Sequence, residues 1–186
     1  MAESVCPWWV GYLLASPLRR LIQKPEELLT PYVEEGMTVM DVGCAMGFFS
    51  LPLAELVGPE GRVVCVDLQE RMIRSLRRRA TRANLENRIE MRVCSAESLG
   101  TDDLEGAVDF AMTFAVVHEV PEPTRLLAEI RSALRAEGRF LLAEPAGHVS
   151  RKHFSETIAA AEAVGLSVID RPDIRMSHGA LLERRD

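Results

Sequence analysis

At 186 residues the chain has the length of one domain, and 47% hydrophobic with 27% charged residues is the mixture of an ordinary globular protein, which excludes a disordered polyampholyte and a collagen-like fibre. A formal net charge of −6 argues against a protein that coats nucleic acid, because neutralising phosphates needs a basic excess, so no nucleic-acid partner is expected. The four cysteines (Cys6, Cys44, Cys65, Cys94) form no CxxC pair and have no His at finger-like spacing; neither a metal site nor a disulfide framework is expected, and a reducing cytoplasm is the natural compartment.

The first element is an apolar, aromatic run from Val5 to Leu18, followed by Arg19, Arg20 and Lys24. Positive charge precedes the apolar run in a secretory signal, and here it follows. Pro7, Gly11 and Pro17 interrupt a run already too short to cross a bilayer, so no membrane span is expected. Residues 1–36 read as a helical cap or lid segment and residues 37–186 as the core. The cap holds Trp8 and Trp9; it is suited to close over a substrate, to pack on the sheet, or to lie against a membrane surface or a dimer partner. The sequence leaves monomer and homodimer open.

Pro25 opens a short helix, and Thr38 to Val42 reads as a buried strand running straight into Gly43-Cys-Ala-Met-Gly47 and a helix from Phe48 to Leu56. A second strand, Arg62 to Asp67, precedes a helix from Gln69 to Arg82 with Ile73, Leu76, Ala80 and Ala83 on one side and Arg71, Arg74, Arg78 and Arg82 on the other. Arg77-Arg78-Arg79 raises the thought of RNA, but with 20 arginines against 2 lysines Arg is the default surface cation, and a solvated face is expected. Strands follow at Arg88–Cys94, Ala107–Thr113 and Arg139–Ala143, with helices at Pro121–Leu134 and Ser155–Val164. Two closing strands, Leu166–Asp170 and Ser177–Leu182, have no helix between them. The alternation predicts an α/β, Rossmann-like, doubly wound sheet of seven strands, mostly parallel with an antiparallel last strand, and helices on both faces. Ligands in such sheets bind beyond the carboxyl ends of the strands.

The glycine loop after the first strand is the strongest signal. A dinucleotide fingerprint starting at Gly43 needs glycines at 45 and 48, where the chain has Ala45 and Phe48. Asp67, 20 residues after Gly47, is placed to accept both hydroxyls of a ribose. No Lys or Arg occurs between Lys24 and Arg62, so the loop suits a cationic ligand better than a pyrophosphate.

From about Thr38 to Pro145 these residues resemble the class I S-adenosylmethionine-dependent methyltransferases, in the branch of ubiquinone and menaquinone biosynthesis and arsenite methyltransferases. Asp41-Val-Gly-Cys-Ala-Met-Gly47 matches the glycine motif, Val66-Asp67 the ribose acid, Ser95-Ala96-Glu97 the adenine loop, and Phe110–Val120 and Gly138–Pro145 the later motifs. The departures are Ala45 for the middle glycine, which asks a residue with a Cβ to take positive φ, and Ser95 for the usual Asp. The resemblance implies S-adenosylmethionine as cofactor, bound by Asp41, Gly43, Cys44, Ala45 and Gly47 at the methionine end, Asp67 at the ribose, and Leu68, Ser95, Ala96 and Glu97 around the adenine, with Met72 and Phe114 also among the cofactor-binding residues and Phe114 facing the acceptor. It implies transfer of a methyl group by in-line displacement to a small, rather apolar molecule. The alternatives are a non-catalytic cofactor-binding sensor or partner subunit and a nicotinamide oxidoreductase.

Trp8, Trp9, His118, Glu119 and Glu144 are the candidate acceptor residues. His118 is the candidate base, because an imidazole titrates near neutrality and takes a proton from a hydroxyl, thiol or enol. The plainer alternative is that His118 orients the loop before Pro121 and that Glu144 caps its strand. Cys44 in the loop invites a soft-metalloid reading, but free cysteines are mostly packing residues and packing is preferred.

Overall fold

The computed structural model describes residues 23–185. Trp8, Trp9 and most of the expected cap lie outside the described residues. In chain order the elements are α1 (Pro25–Leu29), β1 (Thr38–Val42), α2 (Ser50–Leu56), β2 (Arg62–Asp67), α3 (Glu70–Ala83), β3 (Ile89–Val93), β4 (Val108–Phe114), α4 (Pro123–Ala133), β5 (Leu134–Pro145), α5 (Arg151–Ala163), β6 (Leu166–Asp170) and β7 (Ser177–Arg184). Short 3-10 turns stand at Glu86–Arg88, Asp102–Leu104 and Val117–Glu119. The architecture is the expected α/β one, a seven-stranded mixed sheet that is mostly parallel with its last strands antiparallel. The residues group into two compact units, one ending at Ser95 and the other beginning at Ala96.

In the first unit β1 and β3 both run parallel to β2, with Met40 opposite Val64 and Cys65 opposite Met91. Val39, Met40, Val63, Val64, Cys65 and Val66 are fully buried, which is why these strands read as continuous apolar runs rather than alternating ones. Helix α3 buries Met72, Ile73, Leu76 and Ala80 and leaves Arg71, Arg74, Arg78 and Arg82 exposed, as its spacing predicts; Ala83, expected on the apolar side, is exposed because the helix ends there. Removing side chains such as Ile73 and Leu76 from water stabilises the unit by about 1.5–3 kcal/mol each. Asn84, in the left-handed region at φ 57°, ends the helix, and Leu85 donates its N–H back to Ala80.

In the second unit β4 pairs parallel with β5, β5 pairs antiparallel with β7, and β7 pairs antiparallel with β6. Strand β5 begins five residues before its expected start at Arg139. Its pairing jumps from Val108–Leu134 to Phe110–Arg139, so the intervening residues bulge, with Glu137 at φ 59°. Helix starts also move, α2 from Phe48 to Ser50 among them. Pro123, not Pro121, takes the first turn of α4, and α5 starts at Arg151 because the Ser150 hydroxyl accepts the His153 N–H at 3.1 Å. Ser150→Ala is expected to cost about 1 kcal/mol, read as a lowered urea midpoint with an unchanged slope.

Candidate functional site

The turn that leaves β1 is shaped by three consecutive demands on its backbone. Gly43, Ala45 and Gly47 all take positive φ, at 73°, 47° and 82°. The left-handed conformation expected of Ala45 is therefore present, at a cost of about 1–2 kcal/mol for a residue with a Cβ. Hydrogen bonds hold it there. Gly43 and Cys44 both donate N–H groups to the Val66 carbonyl, at 2.8 and 3.2 Å, and Gly47 donates to Cys44 at 2.9 Å. The Ala45 N–H donates to Asp67 Oδ2 at 2.9 Å, and the other oxygen of that carboxylate accepts the Gln69 N–H at 2.8 Å. Asp67, at the end of β2, thus ties the glycine turn to the start of α3.

Helix α3 presses on the same turn. A Cβ at Gly47 would overlap the Leu76 side chain, so glycine is required there for space as well as for φ. One turn along the helix, the Arg79 guanidinium donates to the Met46 carbonyl. The sequence assigned the arginines of α3 to solvent, and Arg79 is the exception.

Asp41 lies beneath the turn on β1, buried, with Oδ2 accepting the Ser50 hydroxyl at 2.6 Å. Burial is the main cause that pushes its carboxyl up from 3.8 to about 6; the Ser50 bond opposes this and the nearby Asp67 charge adds to it. Cys44 is buried too, and burial first, then the neighbouring Cys65 thiol, raises its own thiol well above the usual value. A thiol held in that state is a weak nucleophile, and Cys44 packs among the buried residues of this unit. Among the described residues no cluster of His, Cys, Asp or Glu is arranged to hold a metal ion. Met72 is a buried member of the α3 core stripe, while Leu68 is exposed. Ser95 is exposed at the end of this unit.

In the second unit Ala96 and Glu97 are exposed at the head of a loop that α4 pins. Arg125 donates to the Ala96 carbonyl at 3.0 Å, and the Glu129 carboxylate accepts the Leu99 N–H at 2.7 Å and the Ser98 hydroxyl at 3.1 Å. At the end of β4 Phe114 is half-buried, and the next residue, Ala115, takes φ 61° while donating its N–H to the Ala143 carbonyl at 2.8 Å. That sharp exit launches the 3-10 turn of Val117, His118 and Glu119. Glu144, 1% exposed on β5, receives it: Oε1 accepts the Val117 N–H at 2.8 Å and Oε2 lies 2.5 Å from His118 Nδ1. Both oxygens of Glu144 are therefore engaged by the turn. Glu119 is half-buried beside them.

Set against known proteins, residues 33–169 match the model of a family described as a methyltransferase domain. The chain belongs to that methyltransferase-domain family. It is 31% identical to a demethylmenaquinone methyltransferase of Listeria monocytogenes over 58% of this chain and 44% of that one. It is equally similar to an arsenite methyltransferase of Halobacterium salinarum, over 59% of this chain and 27% of that one. The chain thus spans less than half the length of these curated relatives. Its fold is that of the SAM-dependent methyltransferase from Aquifex aeolicus, with a TM-score of 0.87 and 23% identity over 97% of this chain and the whole of the other. Both branches named from the sequence are among the relatives found.

Within this methyltransferase domain the glycine turn and Asp67 come together as the motif reading expects. Ser50 and Arg79 were missed, since neither lies in the motif, and so was the role of Glu144, which sits 26 residues from the histidine it holds. The raised carboxyl of Asp41 has a measurable consequence. A carboxyl whose folded pKa lies above its unfolded value binds its proton more tightly when folded, so stability falls as pH rises from about 4 to about 6, and the deficit of about 3 kcal/mol persists above that. Asp41→Asn removes this penalty and keeps an acceptor for Ser50. Its thermal midpoint is expected to exceed wild type at about pH 8 and to match it near pH 4.

Proposed function

We propose that this methyltransferase domain moves the methyl group of S-adenosylmethionine to a small-molecule acceptor in a reducing cytoplasm. The observation that carries the reading is the Asp67 carboxylate, oriented by two backbone N–H groups beside a turn with three positive-φ residues. An ionised carboxylate is acceptor-only, and the two hydroxyls of a vicinal diol are matched donors for one held in this orientation. The stretch from Pro25 to Gly61 holds carboxylates and no Lys or Arg, and Asp41 within it favours a cation. The acidic donor set therefore suits a sulfonium nucleoside, and the Arg79 guanidinium at the turn is directed onto the Met46 carbonyl.

Asp67 would hold the ribose hydroxyls; Gly43, Cys44, Ala45 and Gly47 would offer backbone to the methionine end above Asp41; Leu68, Met72, Ser95, Ala96 and Glu97 would border the adenine. When bound, the cofactor supplies a methyl group on positively charged sulfur, which leaves as a neutral thioether. The chain's own contribution is orientation and exclusion of water, because in-line displacement gains most from a fixed approach. A small acceptor is supported by the modest connections of the second unit, where one helix, α5, links β5 to β6. Buried Cys44 and Cys65, free rather than bridged, support the compartment. Among the described residues no helix is long and apolar enough to cross a membrane.

Adenosylhomocysteine is expected to raise the thermal midpoint and NAD to leave it unchanged; protection by NAD alone contradicts the reading. Asp67→Ala is expected to weaken adenosylhomocysteine binding by about 1–3 kcal/mol in calorimetry, through lost charge-assisted hydrogen bonds and a freed Ala45 turn.

A further inference from the structure

The buried carboxylate of Glu144 faces one imidazole nitrogen and no more of the ring. Its Oε2 lies 2.5 Å from His118 Nδ1, its Oε1 accepts the Val117 N–H at 2.8 Å, and the turn carrying both residues is anchored behind by the Ala115 N–H on Ala143. An ionised carboxylate only accepts hydrogen bonds, so Nδ1 must carry its proton and the lone pair of the neutral ring is placed on Nε2. The carboxylate is 1% exposed and the His118 side chain 20%, so the ring extends from the carboxylate toward the surface. The exposed His148 ring stands edge to face with it at 6.4 Å. Opposite Glu144 across the β5–β7 ladder, His178 is spent on the Val149 carbonyl at 3.0 Å and does not compete for the carboxylate.

A clamp needed only to fix the turn would be complete with the Val117 bond. The bond to Nδ1 also fixes the ring's tautomer and its orientation, as a carboxylate does in a catalytic His–carboxylate pair.

We infer that His118 is the general base of the transfer and Glu144 its positioning residue, so that the acceptor is one that loses a proton as it is methylated: a hydroxyl, an enol or a thiol, and not a tertiary amine or a metalloid lone pair. This rests on the methyl-transfer reading above. In the step, the acceptor's heteroatom–hydrogen bond breaks with the proton going to Nε2, while its electron pair forms the new bond to the methyl carbon. The methyl–sulfur bond breaks with its pair remaining on sulfur. The imidazolium is stabilised by the Glu144 carboxylate and releases its proton to solvent on the His148 side.

Glu144→Gln separates positioning from support. Its carbonyl can still accept the Val117 N–H, but its amide then points a donor at Nδ1 and turns the ring to the tautomer with the proton on Nε2. The experiment is nitrogen NMR of the histidine rings in the full chain, with and without adenosylhomocysteine, alongside adenosylhomocysteine release with catechol, naphthohydroquinone and thiophenol as protic acceptors and pyridine and arsenite as acceptors whose accepting atom carries no proton. The expected result is wild-type His118 protonated on Nδ1, Glu144→Gln protonated on Nε2 with its thermal transition intact, and release with a protic acceptor falling about 100- to 10,000-fold in kcat in Glu144→Gln and His118→Asn. His118 protonated on Nε2 in wild type, or release confined to pyridine and arsenite, or release with none of the five while adenosylhomocysteine binds, overturns it. Failure of adenosylhomocysteine to bind strikes the parent reading instead, and the tautomer still decides the arrangement of the pair.

Discussion

The first unit is organised around one carboxylate. Asp67 stands where β2 ends, and its two oxygens take up the N–H of Ala45 on one side and of Gln69 on the other. A backbone N–H turned inward by a left-handed residue needs an acceptor, and an ionised one forms the stronger bond. That bond offsets the cost of positive φ at Ala45, and through Gln69 it also fixes where α3 begins. The helix so placed brings Leu76 against Gly47 and Arg79 onto the Met46 carbonyl, which closes the circuit back to the turn. The residue proposed to hold the ribose is thus also the residue that makes the turn, and its substitution affects binding twice.

Asp41 shows the opposite economy. A carboxylate enclosed by the protein and bonded to a single hydroxyl is costly to ionise, and its elevated pKa expresses that cost. Stability alone favours a neutral residue at this position. A negative potential held ready beneath the turn becomes favourable when a cation arrives, so the strain of the free protein is a form of preorganisation. The second unit spends its buried carboxylate differently: Glu144 is satisfied by a backbone N–H and an imidazole that its own unit supplies.

Much of this was legible in the sequence because local pattern and tertiary role coincide there. The apolar runs of β1 and β2, the amphipathic stripe of α3, the glycine spacing and the acid after β2 are short-range signals, and Ala45 in a glycine's place announced its own φ. What was hidden depends on partners far apart in the chain or on backbone irregularity. The bulge that lengthens β5 has only Glu137-Gly138 to mark it, and the Ser150 cap lies outside the apolar pattern that suggested Ser155. The sequence offered Glu144 as an acceptor contact, whereas the fold gives both its oxygens to the His118 turn. Arg79 was indistinguishable from its neighbours in an arginine run until the helix phase turned it inward.

The central claim is that the Asp67-anchored turn is the nucleoside site of a methyltransferase domain. A crystal structure of the chain with adenosylhomocysteine tests it most directly. Both ribose hydroxyls are expected on the Asp67 carboxylate, with Ala45 still at positive φ and still donating to Oδ2. A nucleoside bound away from Asp67, or a turn that abandons the Ala45 bond to receive it, would overturn the assignment of this turn.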